Sequence, residues 1–422
     1  MLKKTIIIGA VIALIFTLAG CFRKNANKHD NNSIKSTQPT HSPNLSQSVN
    51  PSFDEVDYIK KQVDSMTLEE KIGQMLIVGF NSYTYSDDAR EMIEKYKVGG
   101  FILFSRNIKN TNQLLDLTNS LKNANSKSKI PLFISVDEEG GRVSRVTDEL
   151  LNIPAGKIIG EINSTDFAFK IGDLLAKKIK AFGFNINFAP VLDVNSNPEN
   201  SVIGDRSLGS NAETVSKLGS QIMKGIVSNN VISVVKHFPG HGDTLVDSHI
   251  GLPLINHDIE RLQEIELVPF KKAIKNGADS IMIAHILLTK LDNENPASFS
   301  KVIITELLRK EMGFDGLIFT DDMTMGAIIK NYDIEKAAIK SINTGCDIIL
   351  VCHGYQNQKK VIDALIKAAQ DRIISEERID ESVYRILDFK KRYQISNDPV
   401  DSVDIDEINR QIESVLEEYL NN

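Results

Sequence analysis

The chain has 422 residues, 41% hydrophobic and 25% charged, with a formal net charge of −7. That composition excludes global disorder and a collagen-like fibre, and the acidic balance argues against a nucleic-acid-coating protein. Three cysteines cannot form a disulfide framework, and three of the eight histidines (His237, His241 and His249) cluster in one short stretch.

The chain opens with Lys3 and Lys4, an almost wholly apolar run over residues 5–18, and then Leu18-Ala19-Gly20-Cys21. A charged start, a short apolar region and small residues before a cleavage point read as a secretory signal over residues 1–20. The run is too short for a comfortable transmembrane helix. LAGC resembles a bacterial lipobox, whose cysteine becomes the first mature residue and carries lipid. Cys21 is therefore the expected lipidation site, and the expected location is extracytoplasmic, anchored to the membrane. Residues 21–52 are rich in Asn, Ser, Lys, Gln, Thr, His and Pro. They cannot bury enough surface to fold and read as a flexible tether, with His29 and His41 solvated.

Eight short aliphatic runs follow: Leu76–Phe80, Gly99–Phe104, Pro131–Val136, Ile186–Val191, Val231–Val235, Ser280–Ala284, Leu317–Thr320 and Asp347–Val351. Each has the continuous apolar character of a strand buried on both faces. Amphipathic stretches alternate with them: 87–97, 111–126, 167–182, 212–229, 259–276, 305–312, 335–344 and 358–371. Alternation of this kind predicts βαβ units and a parallel sheet, and eight units predict an α/β (β/α)8 TIM-like barrel as a single catalytic domain over residues 53–395. A doubly wound open sheet is the alternative. Residues 375–393 read as a closing helix. The tail, 396–422, carries Ile405, Ile408, Ile412, Val415 and Tyr419 at helical spacing.

Charge accumulates at the carboxyl ends of these strands, where this fold places its chemistry. The third run leads into Asp137-Glu138-Glu139-Gly140-Gly141-Arg142, the fourth leads to Asp193, and the fifth ends in Lys236-His237. The sixth ends in His285 and the seventh in Asp321-Asp322. One strand-end aspartate is often only a helix cap; five charged strand ends are better explained as a site, because buried unpaired charge is costly. Lys236 to His249 (KHFPGHGDTLVDSH) contains Gly, Pro and Gly, so it reads as a loop. Within it Asp247 and His249 are two apart, a spacing that lets a carboxylate orient an imidazole as a general acid/base. The rival reading is metal ligation by His237, His241, His249 and Asp243. Their spacing fits no standard zinc signature and Lys236 would repel a cation, so no metal is expected.

This loop, with DEEGGRVSR before it and FTDDMTMGA after it, resembles the glycoside hydrolase family 3 β-N-acetylglucosaminidases, the single-domain β-N-acetylhexosaminidase branch. The likeness covers roughly residues 53–393. In the β-glucosidases of that superfamily the long loop is absent and a second domain supplies the acid. The resemblance implies Asp321 as nucleophile, His249 as acid/base and Asp247 as its partner. It also implies that Asp137 bonds sugar hydroxyls, while Arg145, Arg206, Lys236 and His237 hold the N-acetylglucosamine ring. His285 fits a family strand ending without a catalytic step.

A carboxylate nucleophile and a proton donor at the leaving oxygen are what retaining hydrolysis requires, and an unperturbed histidine titrates at about 6.5, near working pH. The expected activity is an exo-acting β-N-acetylglucosaminidase trimming peptidoglycan fragments, with a carbohydrate substrate, no nucleic-acid partner and the membrane as anchor. No motif bears on oligomeric state. A phosphorylase using the same intermediate is the alternative, and a sugar-binding lipoprotein is the non-enzyme alternative. No P-loop or dinucleotide fingerprint occurs, so no cofactor is expected. Asp322 reads as structural, Cys346 and Cys352 as core thiols, His257 and His353 as surface, and Glu138 and Glu139 as shaping the Gly140-Gly141 turn.

Overall fold

All eight aliphatic runs form parallel strands in the computed structural model, which describes residues 53–420. The expected signal, Cys21 and the tether lie outside the described residues. The strands are Leu76–Val78, Gly100–Leu103, Phe133–Val136, Ile186–Asn187, a fifth in two halves (Ile232–Ser233 and Val235–Phe238), Ser280–Ile283, Leu317–Asp322 and Ile348–Val351. Each pairs with its neighbours in sequence, and the eighth pairs with the first through Leu76 and Ile349. The two halves of the fifth strand close the ring. The first half bonds the fourth strand and the second half bonds the sixth, while Val191 bridges to Lys236. This is the (β/α)8 barrel that the alternation predicts.

The strands are buried along nearly their whole length, as expected for a sheet covered on both faces. Phe101, Phe133, Phe188, Phe238 and Phe319 are fully buried, and Phe188 meets Phe319 edge to face at 5.7 Å. Burying each such ring contributes roughly 1.5–3 kcal/mol. Several helix starts carry side-chain caps. Asn110, Ser164, Asn211 and Ser375 each accept a hydrogen bond from the backbone N–H three residues on.

Two differences from the sequence reading have local causes. The stretch 259–276 is two helices, Ile259–Glu264 and Leu267–Lys275. Pro269 lacks the N–H a continuous helix would need and sits instead in the first turn of the second. Two helices, Phe53–Ser65 and Leu68–Gln74, precede the first strand. The second opens on a reciprocal cap in which Thr67 and Glu70 bond each other's backbone N–H. At the chain's other end, helix Ile405–Leu420 lies on helix Thr165–Lys180, burying Ile408 and Ile412 and stacking Tyr419 on Phe167 at 4.8 Å.

Candidate active site

The carboxyl ends of the strands surround a cavity of about 290 Å³. Asp137, Arg145, Arg206, Lys236, His237, Asp247, His249 and Asp321 all line it, so all eight predicted catalytic and sugar-side residues meet in one space.

Asp321 is the penultimate residue of the seventh strand. The only hydrogen bond to its carboxylate among the described residues comes from the backbone N–H of Asp322 at 2.8 Å, which leaves one carboxylate oxygen without a protein partner. Burial alone would raise this carboxyl. His285, His237 and His249 outweigh that and hold it below the usual aspartate range, so it is ionised at neutral pH. Asp322 is fully committed elsewhere. It accepts from Thr324 N at 2.9 Å, Thr324 Oγ1 at 2.6 Å and Cys352 N at 2.9 Å, and its backbone carbonyl meets His285 Nε2 at 3.0 Å. The two adjacent aspartates are thus chemically unlike: one is open to a ligand and one is a fastener.

His249 projects from the long loop. Oδ1 of Asp247 accepts from its backbone N–H at 2.8 Å and faces its Nδ1 at 2.9 Å. Those bonds outweigh partial burial and lower the Asp247 carboxyl, so it stays anionic and takes the Nδ1–H. Nε2 has no partner among the described residues, and the side chain is 68% exposed. A ring oriented at one nitrogen and open at the other can give or take a proton at the open one.

The opposite wall is ionic. Lys236 Nζ lies 2.6 Å from Asp137 Oδ1 and 2.7 Å from Glu139 Oε1, and Arg206 makes a two-pronged contact with Glu139 at 2.7 and 2.8 Å. Burial opposes these charges, but their mutual attraction wins. Lys236 and Arg206 are held above their ordinary values and Glu139 well below its own. Arg145 adds a buried Nε with no partner among the described residues, an unspent donor at the cavity. His237 turns its Nδ1 to Asp193 at 2.7 Å, leaving Nε2 for the cavity it lines.

Several of these roles were invisible in the sequence. Glu139 belongs to the cavity wall rather than to the turn, and Arg206 spends two of its nitrogens on Glu139. Glu138 is the true loop fastener, accepting from Ser144 Oγ, Arg145 N and Lys178 Nζ at 2.7–2.8 Å. Gly140 and Gly141 have φ of +85° and +55°, a conformation that favours glycine at this turn. His353 is exposed, as expected, and also lines the cavity with Phe104. The two rings are 5.2 Å apart, and His353 Nε2 is 3.6 Å from Asp322. His257 is partly buried and bonds Asp243 at 2.6 Å. Cys346 and Cys352 are buried, as expected of core thiols. The loop histidines diverge to separate oxygen partners. No group of three His, Cys, Asp or Glu side chains is placed to hold a metal among the described residues.

Residues 67–389 match the family model of the glycosyl hydrolase family 3 N-terminal domain. A β-hexosaminidase A of Pseudoalteromonas piscicida is 36% identical over 78% of this chain, which spans 61% of that relative's length. A β-hexosaminidase of Tolumonas auensis is 39% identical over 66% of this chain and 82% of its own. Among solved structures, a family 3 β-N-acetylglucosaminidase from Paenibacillus sp. FPU-7 superposes with a TM-score of 0.80 at 40% identity, covering 84% of this chain and 69% of that one. With a family match over most of its length and relatives this similar, the chain belongs to glycosyl hydrolase family 3.

Proposed function

We propose that this chain is a retaining, exo-acting β-N-acetylglucosaminidase that removes non-reducing terminal N-acetylglucosamine from peptidoglycan fragments or related glycosides. The observation that carries the reading is the Asp247–His249 pair opening onto the cavity that holds the ionised, uncommitted Asp321. The names of its relatives point the same way.

In the first step an oxygen of Asp321 attacks the anomeric carbon while His249 Nε2–H protonates the departing glycosidic oxygen. The aglycone leaves and a glycosyl–aspartate ester remains. In the second, Nε2 takes a proton from water, the resulting nucleophile attacks the same carbon, and Asp321 is released. Asp247 balances the imidazolium that donates in the first step and is regenerated in the second, the ring being neutral in the covalent intermediate. Asp137, Arg145, Arg206, Lys236 and His237 bond the ring hydroxyls and the N-acetyl group. Cys21 carries the lipid that keeps the enzyme on the outer side of the cytoplasmic membrane.

The test compares nitrophenyl N-acetylglucosaminide with nitrophenyl glucoside, following the released sugar's anomer by NMR with and without phosphate. Hydrolysis of the N-acetyl substrate with retention supports the reading. A phosphate-dependent glycosyl phosphate product would make the chain a phosphorylase, and an inverted anomer would remove the covalent intermediate. Membrane fractionation of wild type against C21S tests the anchor; wholly cytoplasmic wild type would overturn it.

A further inference from the structure

The acid/base histidine stands on an exposed loop, yet proton transfer needs its nitrogen within hydrogen-bond reach of the leaving oxygen. Apolar packing does little to hold it. Leu245, Val246 and Ile250, which flank Asp247-Ser248-His249, are 72%, 42% and 65% exposed. Polar contacts do the holding. His241 is buried, and both ring nitrogens are engaged: Nδ1 with Thr244 Oγ1 at 2.7 Å and Nε2 with Ser248 Oγ at 3.1 Å. Ser248 is the residue before His249.

The base of this contact is itself fixed. The His241 N–H donates to Asp193 Oδ1 at 2.6 Å, and its carbonyl accepts from Asn200 Nδ2 at 2.8 Å. Gly242 next to it lies so close to Val194 O that an added Cβ would sit 1.8 Å away, so the loop's root packs directly on the segment after the fourth strand. Thr244 Oγ1 lies 2.7 Å from Nδ1 and 3.0 Å from the His241 carbonyl, and because it and the Ser248 hydroxyl can each give or take a proton, either neutral tautomer pairs both ring nitrogens. Across the loop, Gly326 N and Ala327 N donate to the carbonyls of His249 and Ser248 at 3.2 and 2.9 Å. Ser248 is thus gripped at its side chain by His241 and at its backbone by the chain after the seventh strand.

We infer that His241 is a positioning residue that pins Ser248 and thereby sets where Nε2 of His249 meets the leaving oxygen and the incoming water. The kinetic consequences rest on the hexosaminidase reading; the pinning of the loop does not.

The experiment uses the full chain and the variants H241F, H241Q and S248A. Phenylalanine fills the imidazole's space and bonds neither hydroxyl, whereas glutamine keeps a group able to bond Ser248. In H241F and S248A, deglycosylation is expected to slow by about 10- to 100-fold, the scale of a small misplacement of a catalytic group. Nitrophenyl N-acetylglucosaminide then gives a burst with kcat/KM near wild type, while kcat/KM on an N-acetylglucosamine disaccharide falls with kcat. H241Q is expected to recover most of the loss. Amide hydrogen exchange over residues 244–250 is expected to accelerate in H241F and S248A. Wild-type exchange in both variants, or equal kcat/KM losses on both substrates without a burst, overturns the inference. An inactive wild type would sink the hexosaminidase reading, while the exchange rates would still decide the pin. If H241F does not fold, S248A and H241Q carry the decision.

Discussion

Lys178 Nζ lies 2.8 Å from Glu138 Oε1, and both side chains are sealed from solvent beneath the loop that carries Arg145. Removing one partner of a buried pair strands the other charge. Lys178→Met is therefore expected to cost about 3–5 kcal/mol in urea unfolding. Adding Glu138→Gln should restore part of that, because the neutral amide no longer needs a counter-charge. A Lys178→Met protein as stable as wild type would show that the pair is not a structural fastener.

The unlike commitments of Asp321 and Asp322 separate their substitutions. Asp321→Ala is expected to lose several orders of magnitude in rate while folding normally and still binding N-acetylglucosamine. Asp322→Ala should lose much less in rate but unfold earlier, since it strands the backbone N–H groups of Thr324 and Cys352, at about 1–3 kcal/mol for each buried group left unpaired. Rate assays beside thermal melts check both, and the reverse ranking in rate would move the nucleophile to Asp322.

His249→Ala tests leaving-group dependence directly. A nitrophenolate departs without help and a sugar alkoxide does not, so glycosylation by the nitrophenyl substrate should survive while the disaccharide reaction collapses. Water activation suffers with either substrate, giving a burst and then slow turnover. Asp247→Ala should show a milder form, because the imidazole remains and only its orientation is lost. Equal kcat/KM losses on the two substrates would take the acid/base role away from His249.

Protonation of His241 offers a check by pH. Burial and the nearby charge of His237 outweigh Asp193 and Asp321 and push the ring down to about 4. Thr244 and Ser248 bond the ring as neutral hydroxyls, and Asp247 is a further charged group that interacts with it. In the unfolded chain it titrates near about 6.5. Between those values the unfolded state holds a proton the folded state lacks, so stability falls as pH drops from about 6.5 to about 4, by up to about 1.4 kcal/mol per unit from this group. The depressed carboxylates Asp321, Asp193 and Glu139 are still ionised over most of that window and withdraw their contribution only as pH falls through their folded values. Urea melts across the range should show a shallower slope for H241Q than for wild type; identical slopes would mean the His241 ring is protonated in the fold.

The barrel was legible because burial on both faces leaves an unbroken aliphatic signature, and each site residue sits just past the end of such a run or on the loop that follows. The helix Leu68–Gln74 was also within reach, since Thr67 and Glu70 spell its cap. What could not be read is partnership across the ring. Arg206 finds Glu139 from 67 residues away, and Lys178 finds Glu138 from 40. His353 sits just past the eighth run, but its contacts with Phe104 and Asp322 depend on the ring that brings those strand ends together. Such pairings depend on which strands become neighbours, and residue spacing along the chain does not carry that information.

In the proposed mechanism the nucleophile, Asp321, belongs to a barrel strand, while the proton donor, His249, rides on a loop tied to the rest by a few polar contacts. The two halves of the reaction are therefore separable modules in an evolutionary sense. The strand end and its ionic wall can stay constant, preserving recognition of one sugar, while the loop is shortened, exchanged or replaced by a donor from elsewhere. Drift in the loop would retune which acceptors and leaving groups are tolerated without disturbing the barrel that every variant must still fold.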